Sequence, residues 1–201
     1  MKELFWETIS HIYISEDNTY LAFFNNWCDK VFVYSTEGDC CSYTWFETIT
    51  NPENMIGQKI LGIEEKDMSD CCKDSAACDK CKDHEVVQVY GLTFKTQKGY
   101  TDIEYRNSSN GYYGGWCSYI PDPKIIWPLL DNEEYKVAMF VQRDLNYRTR
   151  VYPKFLSKYE ALRLQRPVTL ECHNSKITLY PYGQKSNIKA NENVQEADID
   201  E

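Results

Sequence analysis

The sequence predicts an α+β fold that is mainly antiparallel sheet, with one or two short helices and a small basic C-terminal α/β extension. Two observations predict it. Strand-like apolar runs follow one another directly, without the helical crossovers that a parallel sheet needs. The chain has 201 residues, of which 42% are apolar and 14% aromatic, so it can bury a core of its own.

The first half of the chain contains short alternating runs that are typical of strands. The first two runs form a hairpin, and the last two form the clearest hairpin in the chain, joined through Gln97-Lys98-Gly99. These strands are predicted at residues 9–14, 20–25, 31–34, 59–64, 85–96 and 100–105.

Two helical starts are predicted among these strands. Thr44 and Glu47 have the spacing of a capping box, which favours a helix soon after residues 38–39. Asn51 followed by Pro52 is typical of an N-cap and a first helical position, which indicates a second short turn.

The C-terminal part is predicted to contain the same kinds of elements, in smaller number. After a proline-rich stretch it contains a strand, a helix with apolar residues near one face, and a last hairpin. A polar tail follows, whose composition is typical of disorder. These features are predicted at residues 136–143, 153–164, 168–172 with 176–180, and 184–201.

Charge divides the chain into an acidic part and a basic part. Residues 1–125 carry 20 acidic against 11 basic side chains, and residues 136–189 carry 11 basic against three acidic ones. This predicts an antiparallel domain over residues 1–120 with a cysteine-rich insertion at 70–84, a linker at 121–135, a basic module at 136–183 and an acidic tail at 184–201.

The compartment predicted from the sequence is the cytoplasm. The N-terminus, Met1-Lys2-Glu3-Leu4-Phe5-Trp6-Glu7, has acidic residues where a signal peptide has an apolar region, and no apolar run is long enough to span a bilayer. In that compartment the nine cysteines stay reduced, as free thiols or metal ligands.

Three segments carry a family resemblance. They are Gly38-Asp39-Cys40-Cys41-Ser42-Tyr43-Thr44-Trp45, Gln88-Val89-Tyr90-Gly91-Leu92, and Tyr105-Arg106-Asn107-Ser108-Ser109-Asn110-Gly111-Tyr112-Tyr113-Gly114-Gly115-Trp116. Residues 9–119 resemble a family of small uncharacterised domains of phages and bacteria that pairs GDCCS-x-x-W with YRNSSNGYYGG. The resemblance implies the fold and a phage or bacterial origin, hence a host-cell cytoplasm, and supplies no catalytic residues.

The third segment is the leading candidate for a binding site. Its Asn and Ser side chains can bond their own backbone in tight turns, its glycines allow close approach, and its aromatic rings suit recognition. A turn that the fold itself requires is the alternative. The candidate binding residues are Arg106, Asn107, Asn110, Tyr112, Tyr113 and Trp116.

The cysteine-rich insertion is a candidate zinc site. A C-x-x-C pair can place two thiolates on one metal, and a further cysteine with a histidine could complete a tetrahedron, so structural zinc is the expected cofactor. Free thiols on a loop are the alternative. The candidate ligands are Cys71, Cys72, Cys78, Cys81 and His84.

Cys40 and Cys41 suggest a weaker thiol chemistry. If they precede a helix, its N-terminus would lower a thiol pKa, whereas Asp39 would oppose that effect. The alternative is structural, with the two side chains on opposite sides and one of them buried as a small hydrophobe.

The basic module suggests a nucleic-acid interface, because its cations alternate with tyrosines. A helix with tyrosines packed inward and charges in water is the alternative. The candidate contact residues are Arg143, Arg148, Arg150, Lys154 and Lys158.

The function these features favour is a non-enzymatic accessory protein that binds a host protein or small ligand, for instance as an inhibitor of host defence or host machinery. A nucleic-acid-associated protein is the second hypothesis. A thiol- or metal-dependent enzyme is the third, although the sequence contains no recognisable catalytic set.

Overall fold

The fold consists of two antiparallel sheets. The computed structural model describes residues 1–26, 30–67, 86–128, 158–172 and 175–183. Strands are numbered β1 to β11 in chain order, and the single described α-helix, α1, spans Lys158–Arg163.

The larger sheet has seven strands. Its centre is the predicted N-terminal hairpin, and the predicted C-terminal hairpin extends it, because β11 pairs with β1. In order across the sheet the strands are β8 (Gly115–Ile120), β3 (Val31–Gly38), β2 (Tyr20–Asn25), β1 (Ile9–Ser15), β11 (Ser175–Pro181), β10 (Val168–Cys172) and β9 (Lys124–Ile126).

The smaller sheet has four strands and is built around the second predicted hairpin. The register of that hairpin runs without a break from Val86 opposite Ser109 to Lys95 opposite Tyr100. In order across the sheet the strands are β4 (Tyr43–Thr50), β7 (Tyr100–Ser109), β6 (Val86–Lys95) and β5 (Gly62–Asp67).

The α+β prediction is wrong, because the fold is mainly β. The segment predicted as a helix after residues 38–39 is β4, in which Thr44, Phe46 and Ile49 are buried. Tyr, Thr, Trp, Phe and Ile favour a strand, and this preference outweighs the capping-box spacing. The short turn at Asn51-Pro52 is confirmed, as a 3₁₀ turn over Pro52–Asn54.

The core occupies both faces of the larger sheet. One cluster lies between the two sheets and includes Phe23 and Tyr34 from the larger sheet and Phe46, Phe94 and Ile103 from the smaller. A second cluster covers the opposite face, where α1 contributes Leu162. Burial on both faces explains why β2 is apolar at five of its six positions.

The C-terminal hairpin belongs to the same sheet as the N-terminal one. Tyr13 lies opposite Pro181, and the Tyr182 hydroxyl accepts a hydrogen bond from the Ile49 amide at 2.7 Å. The division into domains stays a prediction, since residues 129–157 lie outside the described residues. No helix in the described part of the chain has the length and apolarity to cross a bilayer.

Candidate functional site

Two of the three segments that carry the resemblance meet at one place, where the chain crosses twice between the sheets. Residues 39–42 lead from β3 to β4, and residues 110–114 lead back from β7 to β8. We call these two links the double crossing. Gly38 lies opposite Gly115, and the Gly114 carbonyl accepts hydrogen bonds from the Asp39 amide at 3.2 Å and the Ser42 hydroxyl at 3.1 Å.

Asn107 is the internal link of the double crossing. Its side chain is fully buried, and its carbonyl oxygen accepts a hydrogen bond from the Thr44 hydroxyl at 3.0 Å. Its amide nitrogen donates to Gln88 Oε1 at 3.2 Å and to the Tyr113 carbonyl at 3.0 Å. One side chain therefore holds β4, β6 and the returning link together.

Gly115 is required for this packing. A Cβ atom there would overlap the Thr44 hydroxyl and would lie 2.7 Å from Asn107 Oδ1 and 2.9 Å from Asn107 Cβ. At Gly114, by contrast, a Cβ atom would meet nothing within 4 Å. The paired glycines of the sequence thus have different roles, close packing at the second and open space at the first.

The tip of the returning link is exposed and held by local hydrogen bonds. The Ser109 hydroxyl accepts a hydrogen bond from the Gly111 amide at 3.0 Å, and the Asn110 side-chain Oδ1 accepts one from the Tyr112 amide at 3.1 Å. Gly111 has φ 88°, which favours glycine. Tyr112 follows with 91% of its side-chain surface exposed.

The predicted binding residues do not form a single surface. Arg106 and Asn107 are neighbours in β7, so their side chains lie on opposite faces of the sheet. Arg106 Nε lies 2.6 Å from Glu104 Oε1 in a pair that is largely buried. Trp116 is half-exposed in β8, opposite Glu37. Asn110, Tyr112 and Tyr113 lie together in the link between β7 and β8, apart from Arg106.

Cys40 and Cys41 are both exposed, so the expectation that one of them is buried is wrong. They occupy a tight turn in which the Ser42 amide donates to the Asp39 carbonyl at 3.1 Å, and Cys41 has φ 64°. The strand β4 follows this turn where a helix was expected, which removes the proposed cause of a lowered pKa. Contact with Cys40 instead raises the pKa of Cys41.

His11 is the one histidine among the described residues, and it borders a cleft of about 410 Å³ with Glu53 and Tyr182. Its Nδ1 lies 3.0 Å from Ser10 Oγ, and burial lowers its pKa. The Ser10 hydroxyl donates to the carbonyls of β2, at 2.9 Å for Asn25. Because that proton is already engaged, the pair is not arranged as a nucleophile and its base.

A larger cleft of about 550 Å³ opens between the sheets beside the double crossing. Sequence reasoning missed it, although the hairpin contained a signal. A short connection between Lys95 and Tyr100 fixes Tyr90 opposite Tyr105, which places two aromatic rings side by side on the inner face. The residues that line it include Glu65, Gln88, Tyr90, Tyr105 and Cys117.

The other predicted sites lie outside the described residues. This holds for all five candidate zinc ligands, Cys71, Cys72, Cys78, Cys81 and His84, and for Arg143, Arg148, Arg150 and Lys154. Lys158 begins α1, but its side chain is not described. Zinc and nucleic acid therefore stay predictions.

Comparison with known proteins places the chain in a family. A family model described as a domain of unknown function (DUF7448) matches residues 2–118. An uncharacterised protein of Acanthamoeba polyphaga mimivirus is 32% identical over 111 residues, which cover 54% of this chain and 82% of the viral protein. No solved structure matches. The expectation of a family without assigned chemistry is confirmed, while its two quoted motifs and its phage or bacterial membership stay predictions. The chain belongs to the DUF7448 family of domains of unknown function.

Proposed function

We propose that this protein is a non-enzymatic accessory protein that recognises another protein through the tip of its double crossing, residues 110–113. The observation that carries the proposal is the exposure of Tyr112, at 91%, on a backbone held from both sides. Tyrosine is enriched at binding hot spots because its ring supplies contact area and its hydroxyl a hydrogen bond.

The local hydrogen bonds of the tip support recognition. Hydrogen bonds at Ser109, Asn110 and Tyr113 fix the backbone on either side of Tyr112 before any partner arrives. A preorganised loop loses little conformational entropy on binding, so more of the contact energy appears as affinity. The same hydrogen bonds leave the Tyr112 side chain exposed.

The viral relative bears on which kind of partner we propose. The mimivirus protein aligns over most of its own length, so we take a virus and its host cell as the setting. The partner we propose is therefore a host protein, bound without chemical change.

The experiment compares Tyr112→Ala with Tyr100→Ala, because Tyr100 is also exposed but lies at the other end of β7. Full-length wild-type and variant proteins are used to capture partners from cells in which the gene is expressed, and each captured protein is purified and titrated directly. We expect Tyr112→Ala to weaken binding by roughly 30-fold or more, as for a hot-spot residue, and Tyr100→Ala to leave it unchanged.

Circular dichroism and thermal unfolding serve as the folding control, since both tyrosines are exposed and neither change should alter stability. The proposal fails if purified partners bind Tyr112→Ala as tightly as wild type, or if both variants weaken binding equally.

A further inference from the structure

The cleft between the sheets has the size and lining of a small-molecule site. Its volume is about 550 Å³, within the range of ligand pockets. Its walls come from four strands, with Glu65 on β5, Gln88 and Tyr90 on β6, Tyr105 on β7 and Cys117 on β8. It is separate from the exposed tip at Tyr112.

One wall of the cleft is a fixed aromatic surface. The rings of Tyr90 and Tyr105 stack with centroids 4.9 Å apart and planes 17° apart, and Tyr105 meets the edge of Phe46. The Tyr90 hydroxyl donates to Gln88 Oε1 at 3.0 Å, the same atom that accepts from Asn107. Because Asn107 is buried in the double crossing, this wall is preformed.

Glu65 supplies a carboxylate that makes no hydrogen bond or ion pair with any other described residue. It lies opposite Leu92, on the same face of β5 as Ile63, which packs against the core between the sheets. Alternation along the strand turns Glu65 toward the cleft and Glu64 away from it.

Tyr105 and Cys117 are neutral groups in the cleft, and the amino groups of Met1 and Lys66 also belong to lining residues. Burial raises the pKa of Tyr105 to about 12, with smaller contributions from Cys117, Tyr90 and Glu65, and burial raises the pKa of Cys117 to about 12. The Met1 amino group lies 3.9 Å from a Glu3 oxygen. Lys66 also borders the cleft, opposite Gly91, where alternation turns its side chain outward.

We infer that this cleft binds a planar nitrogen cation, an amidinium or guanidinium group, that lies against the Tyr90–Tyr105 ring pair and donates hydrogen bonds to the Glu65 carboxylate. The face of a tyrosine ring attracts a cation, and a carboxylate accepts two parallel N–H groups from such a fork. The Tyr105 hydroxyl, which has no hydrogen-bond partner among the described residues, is available to the same ligand.

The test uses benzamidine and benzoate, two probes of nearly the same shape and opposite charge. Each is titrated into the full-length protein while the ring resonances of the tyrosines are followed by NMR. We expect benzamidine to shift the resonances of Tyr90 and Tyr105 with a dissociation constant on the order of 1 mM, as for a small fragment. Benzoate should bind at least about tenfold more weakly, because the carboxylate of Glu65 repels it.

Two matched variants then test whether the Glu65 carboxylate causes the preference for the cationic probe. Glu65→Gln should weaken benzamidine binding about fivefold or more and bring the two probes closer in affinity. Glu64 and Glu65 are both exposed. Glu64→Gln, one residue away on the opposite face of the same strand, should leave both affinities unchanged. Equal binding of benzoate and benzamidine to wild type, equal effects of the two variants, or no shift at Tyr90 and Tyr105 would each overturn the inference.

Discussion

At the scale of residues, the polar side chains of the segment with the strongest resemblance mostly close the fold. Asn107 uses both its amide nitrogen and its carbonyl oxygen inside the double crossing. A buried amide with three partners is stable only while all three remain in place, because each unsatisfied group costs about 1–3 kcal/mol. The exposed aromatic tip depends on this buried network.

Gly115→Ala tests that dependence. The added methyl group would overlap the Thr44 hydroxyl and crowd Asn107, so we expect the free energy of unfolding to fall by about 2–3 kcal/mol. Urea unfolding followed by tryptophan fluorescence measures the change.

Gly114→Ala is the matched control, since a methyl group there meets nothing within 4 Å. We expect it to change stability by less than about 1 kcal/mol, in either direction. Equal urea midpoints for the two alanine variants would contradict the claim that the double crossing needs a glycine at position 115.

The cysteines should differ in reactivity according to their surroundings. Cys40 and Cys41 are exposed, whereas burial raises the pKa of Cys117 to about 12 from an ordinary value of 9.0. We expect iodoacetamide at pH 8 to modify Cys40 or Cys41 in the folded protein well before Cys117. Mass spectrometry of peptides after brief labelling measures the order in which the cysteines react. The same labelling of urea-unfolded protein gives the rate of each cysteine when it is not buried.

The same shift in the pKa of Cys117 gives a pH dependence of stability. Between pH 9 and 12 the unfolded chain loses the Cys117 proton while the folded chain keeps it, so stability is complete below pH 9 and declines above it. We expect Cys117→Ala to flatten this decline in urea unfolding at pH 9, 10 and 11. Parallel declines in the two proteins would contradict the assignment.

At the scale of elements, the hairpins could be predicted from sequence because their signals are local. The alternation of β1 with β2, and of β6 with β7, coincides with a short polar turn between the strands. The residues at which these strands end are harder to predict from sequence. The segment from Tyr105 to Trp116 has the composition of a loop, yet Tyr105–Ser109 continues β7 and Gly115 already begins β8.

The error at β4 arose because the capping-box spacing is a weaker signal than the β-favouring composition of Tyr43–Thr50 together with its pairing to β7. Thr44 and Glu47 fit a capping box, but the Thr44 hydroxyl donates to Asn107, 63 residues away. Only the tertiary pairing of β4 with β7 reveals that use. The cleft escaped prediction for the same reason, because its lining comes from four strands whose order across the sheets is not encoded locally.

At the scale of the whole molecule, the N-terminal and C-terminal strands share one sheet. β11 pairs with β1, β10 and β11 add Val168, Leu170 and Leu179 to the second core cluster, and Tyr182 reaches the backbone of Ile49 in the smaller sheet. These contacts indicate that residues 1–128 depend on residues 158–183.

A shortened chain that ends after residue 128 tests that dependence. Without β11, the edge of β1 and the apolar residues of the second cluster become exposed to water, so we expect loss of cooperative unfolding. Differential scanning calorimetry measures it, with a chain ending after residue 183 as the control. A shortened chain with the same cooperative transition as the control would instead support an independent domain over residues 1–120.

The position of β1 in the middle of the larger sheet has a consequence during synthesis. Ile14 lies between Leu21, made moments later, and Tyr180, made near the end of the described chain. At about 5–20 residues per second, roughly 10–30 s pass on the ribosome before that second neighbour emerges. Throughout this interval the nascent chain presents an open, apolar strand edge, with which a strand of another copy can pair.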